Sequence, residues 1–388
     1  MVTSNFKPIP YGKHHVDDND IAAVIDVLQN QFLTQGSAVP EFEAALQDYT
    51  GAQYATAVNS ATSGLHVACL ALGVEQNDLV WTVPNSFVAS ANCARYCGAK
   101  IDFVDIDPLT RNISVTALEE KLAYASAHNA LPKVLIVVHF SGLSCDMKEV
   151  STLTQKYGVK LVEDAAHGLG GRYLKGKIGS CEFSDIAVLS FHPVKSITTA
   201  EGGAVLTNQK QLDTKIKLFA KHGVTRDPEL MEGDSEGPWY YQQLELGYNY
   251  RMSDLHAALG KSQLSKLDHF ITQRQQLAAR YNQALADLPL RLPQHSNLKD
   301  SAWHLYMIEL TQHERKQTYL RLHEKGIGVN VHYIPVHLHP YYQRLGFKLG
   351  DFPNAEQFYQ NALTVPLFPT MTADEQDRVI QALNEVLA

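Results

Sequence analysis

The stretch "KVLIVVHF", Lys133 to Phe140, decides how this chain is read. From Val134 to Val138 every residue is apolar. A strand with one wet face alternates apolar and polar residues; one that does not is buried on both faces, as in a parallel sheet covered by helices. The flanking sequence supports this reading. Upstream, apolar strands are expected at 54–58 ("YATAV"), 79–84 ("LVWTVP") and 100–107 ("KIDFVDID"), with helices at 60–73, 86–98 and 117–127 between and after them. Downstream follow a helix at 147–158 and a strand with its exit at 159–167, "VKLVEDAAH". Strands are also expected at 185–191 and 203–208, joined by a loop and not by a helix, so the sheet is mixed.

Two helices precede the alternation, one over Asp17–Leu28 with acidic residues in its first turn and one from about Glu41. A long amphipathic stretch, Ser253 to about Leu285, reads as a helix linking two halves. Beyond it lie "WHLYMIEL" (303–310), a helix near 315–325, "GIGVNVHYIP" (326–335) and a terminal helix from about Ala373. The fold class is therefore α/β, a mixed and mostly parallel sheet with a smaller α+β C-terminal domain. The division is expected as 1–255, a large domain with an N-terminal segment, and 256–388. Without repeats or a low-complexity linker, the halves should pack firmly.

Composition excludes several classes. The 388 residues are 45% hydrophobic and 19% charged, as in a globular protein. A net charge of -8 leaves no basic field for nucleic acid. No apolar run approaches the roughly 20 residues of a membrane span. The start, "MVTSNFKPIPYGKHH", lacks the apolar segment of a signal peptide. Five scattered cysteines, Cys69, Cys93, Cys97, Cys145 and Cys181, read as buried reduced thiols in a cytoplasmic protein. Cys93 and Cys97 have i, i+4 spacing, but no second Cys/His pair completes a zinc site. His332, His337 and His339 crowd "VHYIPVHLHP", yet prolines interrupt the spacing and no acidic residue is nearby in sequence, so no metal is expected.

In parallel sheets, ligands sit beyond the carboxyl ends of the strands. Those ends carry "NSATSG" (59–64), whose small residues open a helix N-terminus suited to phosphate. They also carry Phe87, then Glu163, Asp164 and His167, then Ser190, His192 and Lys195. Lys195 lies in "SFHPVKSITTAEGG" just past a buried strand, where desolvation disfavours the ammonium. Phosphate cradle, aromatic face, carboxylate and lysine together are what pyridoxal phosphate requires. Spacing alone does not choose between Glu163 and Asp164 as the carboxylate.

"EDAAHGLGG", "SFHPVKSITTAEGGAV", "LGYNYRMSDLHAALG" and "FLTQGSAVPEFE" resemble the DegT/DnrJ/EryC/StrS sugar aminotransferases over essentially the whole chain. The resemblance implies the PLP-dependent transferase fold type I, aspartate aminotransferase-like. It implies Lys195 as the Schiff-base lysine and Asp164, over Glu163, as partner of the pyridine nitrogen. Ala61, Thr62 and Ser190 would contact the phosphate, and Phe87 would stack on the ring. His167, where many members have Gln, would face the phenolic oxygen. Asn249 would reach the cofactor of a neighbouring subunit, with Arg251 close by, making a homodimer with shared active sites. Tyr11, the loop Gln31, Phe32, Leu33 and Thr34, and the turn His332, Tyr333, Ile334 and Pro335 would hold the substrate. Narrower matches in "PYGKH", "VNSATSG" and "KGIGVNVHYIPVHLHPYYQ" imply amination at C4 of a UDP-4-keto-6-deoxy-N-acetyl sugar, with L-glutamate as donor. Another nucleotide 4-keto-6-deoxy sugar (perosamine, bacillosamine or aminoarabinose type), or a non-catalytic PLP-binding regulator, stays open. Lys195 argues against the dehydratase branch, where histidine replaces it.

Overall fold

The computed structural model describes residues 7–294 and 300–387; the first six residues of the start quoted above lie outside them. Helices α1 (Asp18–Asn30) and α2 (Ala38–Thr50) lead into β1 (Tyr54–Val58) and α3 (Ala61–Ala71). Then come β2 (Leu79–Thr82), α4 (Ala89–Tyr96), β3 (Lys100–Phe103), α5 (Val115–Ala127), β4 (Val134–Val138), α6 (Met147–Tyr157) and β5 (Lys160–Asp164). A two-residue ribbon, β6 (Arg172–Tyr173) and β7 (Gly176–Lys177), precedes β8 (Ile186–Ser190) and β9 (Gly203–Thr207). Helix α7 (Lys210–Ala220), which the sequence reading missed, and a second short ribbon, β10 (Val224–Thr225) and β11 (Gln242–Gln243), end this half.

The seven-stranded sheet runs β1-β9-β8-β5-β4-β2-β3. Every adjacent pair from β8 to β3 is parallel, and β9 alone runs against its neighbours. An antiparallel neighbour can be reached by a short loop, which is why no helix joins β8 to β9. All five residues of β4 are buried, as its unbroken apolar run requires.

The expected single helix over 253–285 is two, α8 (Asp254–Leu264) and α9 (Leu267–Ala284). The break falls at Ser265 and Lys266, where the Lys266 amine turns back to Asp17 and Asp20 beside the α1 N-terminus (2.9 and 2.6 Å). Helix α2 starts at Ala38 and not at Glu41. Pro40 falls in its first turn, where an absent N–H costs nothing. Ser37 does not cap it; Asp254 does, accepting from the Gly36, Ala38 and Val39 amides.

The rest of the chain holds β12 (Leu290–Arg291), β13 (Tyr306–Leu310), α10 (Arg315–Glu324), α11 (Pro340–Gln343), α12 (Pro353–Asn361), β14 (Ala362–Val365) and α13 (Ala373–Leu387). Residues 326–335 add only isolated bridges, to Ile9 and Thr364. A division near residue 255 remains a proposal, and packing runs across it. Ala257 through Ile271 share a core with Phe42, Leu189 and Phe191. Ile9 packs with Tyr281, Trp303 and Val379, and Leu367 N–H donates to Tyr11 O (3.0 Å). Among the described residues no helix is long and apolar enough to cross a membrane.

Register aligns Val58 with Gly203 and Gly203 with Ser190, so three strands end level beside the start of α3. A Cβ on Gly203 would stand 2.6 Å from Ala61 N, 2.7 Å from Ser60 C and 2.8 Å from Leu189 O. These are backbone atoms that cannot turn aside. Gly203→Ala should therefore destabilise the protein by about 1–3 kcal/mol, as overpacking does, and weaken cofactor retention. Denaturant unfolding of the apoprotein tests this; an unchanged midpoint would show that the helix start has room to move.

Candidate active site

A cavity of about 400 Å³ opens where these strand ends meet the C-terminal lobe. Ser60 caps α3: its Oγ accepts from Ser63 N–H (3.1 Å), and its carbonyl from Gly64 N–H (3.0 Å). The remaining first-turn amides, Ala61 and Thr62, lie at the cavity wall beside Ser190. A helix N-terminus of this kind presents N–H groups and positive dipole to an anion.

Strand alternation separates Glu163 from Asp164. Glu163 turns away, with its oxygens taken by His139 Nε2 (2.8 Å) and Ser184 Oγ. Asp164 lines the cavity, accepting from Ser90 Oγ on Oδ2 (2.6 Å) and from Ala166 N–H on Oδ1 (3.1 Å). Ser90 in turn pairs with Ser86 (2.6 Å). Neither serine was singled out in the sequence. They come from α4 and the turn before it, Ser90 lying 74 residues from Asp164, and no local spacing links them.

Lys195 projects from the β8–β9 loop into the same cavity. That loop is pinned: Thr198 Oγ1 and Thr199 N–H both donate to Phe191 O, and Phe191 N–H donates to Gly202 O. Burial drives the Lys195 amine down to about 8, with the Asp164 carboxylate partly opposing the shift. Around it stand three histidines. Burial, then the charge of Lys195, takes His332 down to about 3. Burial, then Lys195, holds His167 well below its ordinary range, and burial with the neighbouring His167 does the same to His304. The His167 and His304 rings lie 4.3 Å apart, and the buried Nδ1 of each lacks a hydrogen-bond partner among the described residues. His167 Nε2 meets the Tyr333 hydroxyl at 3.2 Å. Phe87 is 59% exposed and offers its ring to the cavity, 6.2 Å from Tyr333.

The cavity thus gathers Tyr11, Ala61, Thr62, Phe87, Asp164, His167, Ser190, Lys195, His332 and Tyr333 of the expected residues. It also takes in His192, His304, Asn330 and Glu201, of which only His192 was weighed beforehand. Ile334 and Pro335 lie outside its wall, as do Gln31, Phe32, Leu33 and Thr34, which are exposed. Asn249 is exposed and Arg251 half-buried, on a segment that bridges to Lys221 and Val58 and not in this chain's own cavity. His337 has an acidic partner after all, Glu356 at 2.8 Å, brought by α12. Cys97 is partly exposed, unlike the other four cysteines.

The residues suit pyridoxal phosphate: amides and a hydroxyl for the phosphate, a carboxylate and an amine in the same cavity, and orphaned imidazole nitrogens. Known proteins bear this out. The chain is 38% identical over 390 residues to a Campylobacter jejuni protein named UDP-4-amino-4,6-dideoxy-N-acetyl-beta-L-altrosamine transaminase, covering 98% of this chain and 97% of that one. Its structure superposes on Helicobacter pylori PseC, an aminotransferase involved in the biosynthesis of pseudoaminic acid, with TM-score 0.89 and 31% identity over 98% and 99% of the two chains. A putative sugar aminotransferase of Streptococcus pneumoniae, Spr1654, solved in a PLP form, matches at TM-score 0.87 and 26% identity, over 98% of this chain and all of that one. The mixed, mostly parallel sheet shared with these neighbours is that of fold type I. Residues 14–384 match the model of the DegT/DnrJ/EryC1/StrS aminotransferase family, and the chain belongs to that family.

Proposed function

We propose that this sugar aminotransferase uses pyridoxal phosphate to move the amino group of L-glutamate to C4 of UDP-2-acetamido-2,6-dideoxy-β-L-arabino-hexos-4-ulose. The product is UDP-4-amino-4,6-dideoxy-N-acetyl-β-L-altrosamine. The observation that carries the reading is the meeting of Lys195, Asp164 and the α3 N-terminus in one cavity, in a chain 38% identical to a relative named for that product.

When bound, the cofactor supplies an electron sink for the carbon that loses its proton. The chain supplies the rest. Ala61, Thr62 and Ser190 would hold the phosphate. Asp164, oriented by Ser90 and Ala166 N–H, would hold the ring nitrogen. Phe87 would cover one face of the ring, and His167 would meet its phenolic edge. Lys195 would take and return the proton during the transfer, a task suited to an amine whose proton is loosely held. Three imidazoles held toward the neutral form around it leave the proton transfer to Lys195. Tyr11, His332 and Tyr333, which line the same cavity, would meet the sugar.

The same reading makes the chain a cytoplasmic homodimer. The outer face of α1 shows Ile21, Ile25 and Leu28 to solvent, continued by Phe32 at 78% exposure in the Gln31–Thr34 loop. A second copy covering this face would remove that area from water and would let the exposed Asn249, with Arg251 beside it, reach the neighbouring site.

Absorption spectroscopy tests the reaction. L-glutamate should convert the protein-bound cofactor to its amine form, and the UDP-4-keto sugar, not a GDP-4-keto sugar, should restore the starting band. Restoration by the GDP sugar alone would overturn the assignment of substrate. Lys195→Ala should lower turnover by about 10²–10⁴-fold or more without unfolding the chain. The apoprotein's rate of cofactor uptake should rise through pH of about 8, because Lys195 is an unreactive ammonium below that value and a nucleophilic amine above it. A midpoint above 10 would place the amine in water and not in this cavity. Ser90→Ala removes a hydrogen bond to a charged group, worth about 1.5–3 kcal/mol, and should raise the cofactor's Kd by about tenfold or more. An unchanged Kd would mean that Asp164 needs no support from α4.

A further inference from the structure

His304 stands in the cavity wall and has no part in the roles assigned above. It lies just before β13, and its ring is 4.3 Å from that of His167, tilted by 40°. The other rings beside His167, those of Phe140 and Tyr333, are farther, at 6.1 and 6.2 Å. Both histidines are more than nine-tenths buried, His304 at 4% exposure and His167 at 6%. The Nδ1 atom of each is buried without a hydrogen-bond partner among the described residues, while His167 Nε2 meets the Tyr333 hydroxyl.

We propose that His304 is a positioning residue that acts through His167: its ring backs the His167 imidazole and keeps water off it, so that His167 holds one pose and one uncharged form. The inference rests on the reading above, in which His167 meets the phenolic edge of the cofactor. A neutral imidazole can give or take a hydrogen bond at that oxygen without bringing a charge to it. Water beside the ring would let it become an imidazolium within the ordinary working range of pH, and the oxygen would then face a cation.

His304 suits this task because its backbone is clamped. The Arg274 guanidinium, itself 1% exposed on α9, donates to Trp303 O and His304 O (both 3.2 Å) and to Leu367 O (2.9 Å). Trp303 sits at φ 47°, a left-handed conformation that a bulky residue seldom adopts, with its N–H on Ser301 Oγ (3.0 Å). Ala302 N–H donates to Gly142 O (2.9 Å). A Cβ on Gly142 would stand 2.9 Å from Trp303 N and 3.1 Å from His167 O, so one tight turn seats both histidine segments. The charges nearby agree with the packing. After burial, Lys195 from the β8–β9 loop and His332 from the 326–335 segment oppose a proton on either ring, and Arg274 opposes one on His304. Tyr333 is held as the neutral phenol, chiefly by burial. Asp164 lines the same cavity, but its oxygens accept from Ser90 and Ala166 N–H.

The test starts from the full-length apoprotein carrying isotope-labelled histidine, followed by NMR from about pH 5 to 8. Comparison with His167→Gln identifies the His167 signal. In the wild-type protein that signal should not move. His304→Ala leaves a gap and should let His167 titrate with a midpoint of about 6.5, its ordinary value. His304→Phe returns a ring without nitrogens and should silence the signal again. In the loaded protein, a step at about pH 6.5 should appear in the cofactor's absorbance in His304→Ala and be missing from the wild type and from His304→Phe. His304→Ala should also lower kcat about tenfold or more while KM for the sugar stays near its wild-type value. An ordinary His167 midpoint in the wild-type protein overturns the proposal even if every variant fails to fold. A silent His167 in folded His304→Ala overturns it too, and so does a rise in KM alone, which would make His304 a sugar contact. If L-glutamate leaves the wild-type cofactor unchanged, the proposed reaction falls, while the apoprotein titration still decides whether His304 shields His167.

Discussion

The site depends on a close approach at Gly203, where a side chain would occupy the space taken by the backbone of Ser60 and Ala61. Because β9 can come that near, three strand ends, the start of α3 and the Lys195 loop share one small volume. The reversed direction of β9 follows from the same arrangement. A parallel β9 would need a crossover helix between Ser190 and Gly203, and Lys195 would then ride on that connection and not on a short loop tied to Phe191.

Electrostatics in the cavity follow from exclusion of water. Burial penalises every charge, and groups with a neutral alternative take it. His167, His304 and His332 are all driven toward the neutral form, and the Tyr333 phenol is pushed up, chiefly by burial. Lys195 is the exception that stays near balance, because Asp164 offsets part of the penalty. An amine in this state can both take and release a proton near neutral pH, which one in water cannot do readily.

Supports for these groups come from far along the chain. Asp164 is held by Ser90 of α4; the 31–37 loop and the α2 N-terminus are held by Asp254 of α8. The Trp303–His304 backbone is held by the buried Arg274 guanidinium, which donates to both carbonyls. Each tie spans at least 29 residues, and none follows a repeating spacing.

The amino-acid sequence by itself determined the layers, because apolar periodicity within a dozen residues sets whether a segment is a strand buried on both faces or a helix buried on one. It placed Lys195, Asp164 and the α3 start at strand ends, since position along an element is a local property. It did not separate Glu163 from Asp164 until the family pattern was added; in the structure the alternation of one strand does so directly. Tertiary structure alone decided that Ser90 faces Asp164, that His304 lies against His167, that Glu356 meets His337, and that the α1 apolar stripe faces solvent. Those outcomes depend on which distant surfaces meet. Pairing between residues far apart in sequence leaves no periodic trace along the chain, so only the folded backbone brings it to view.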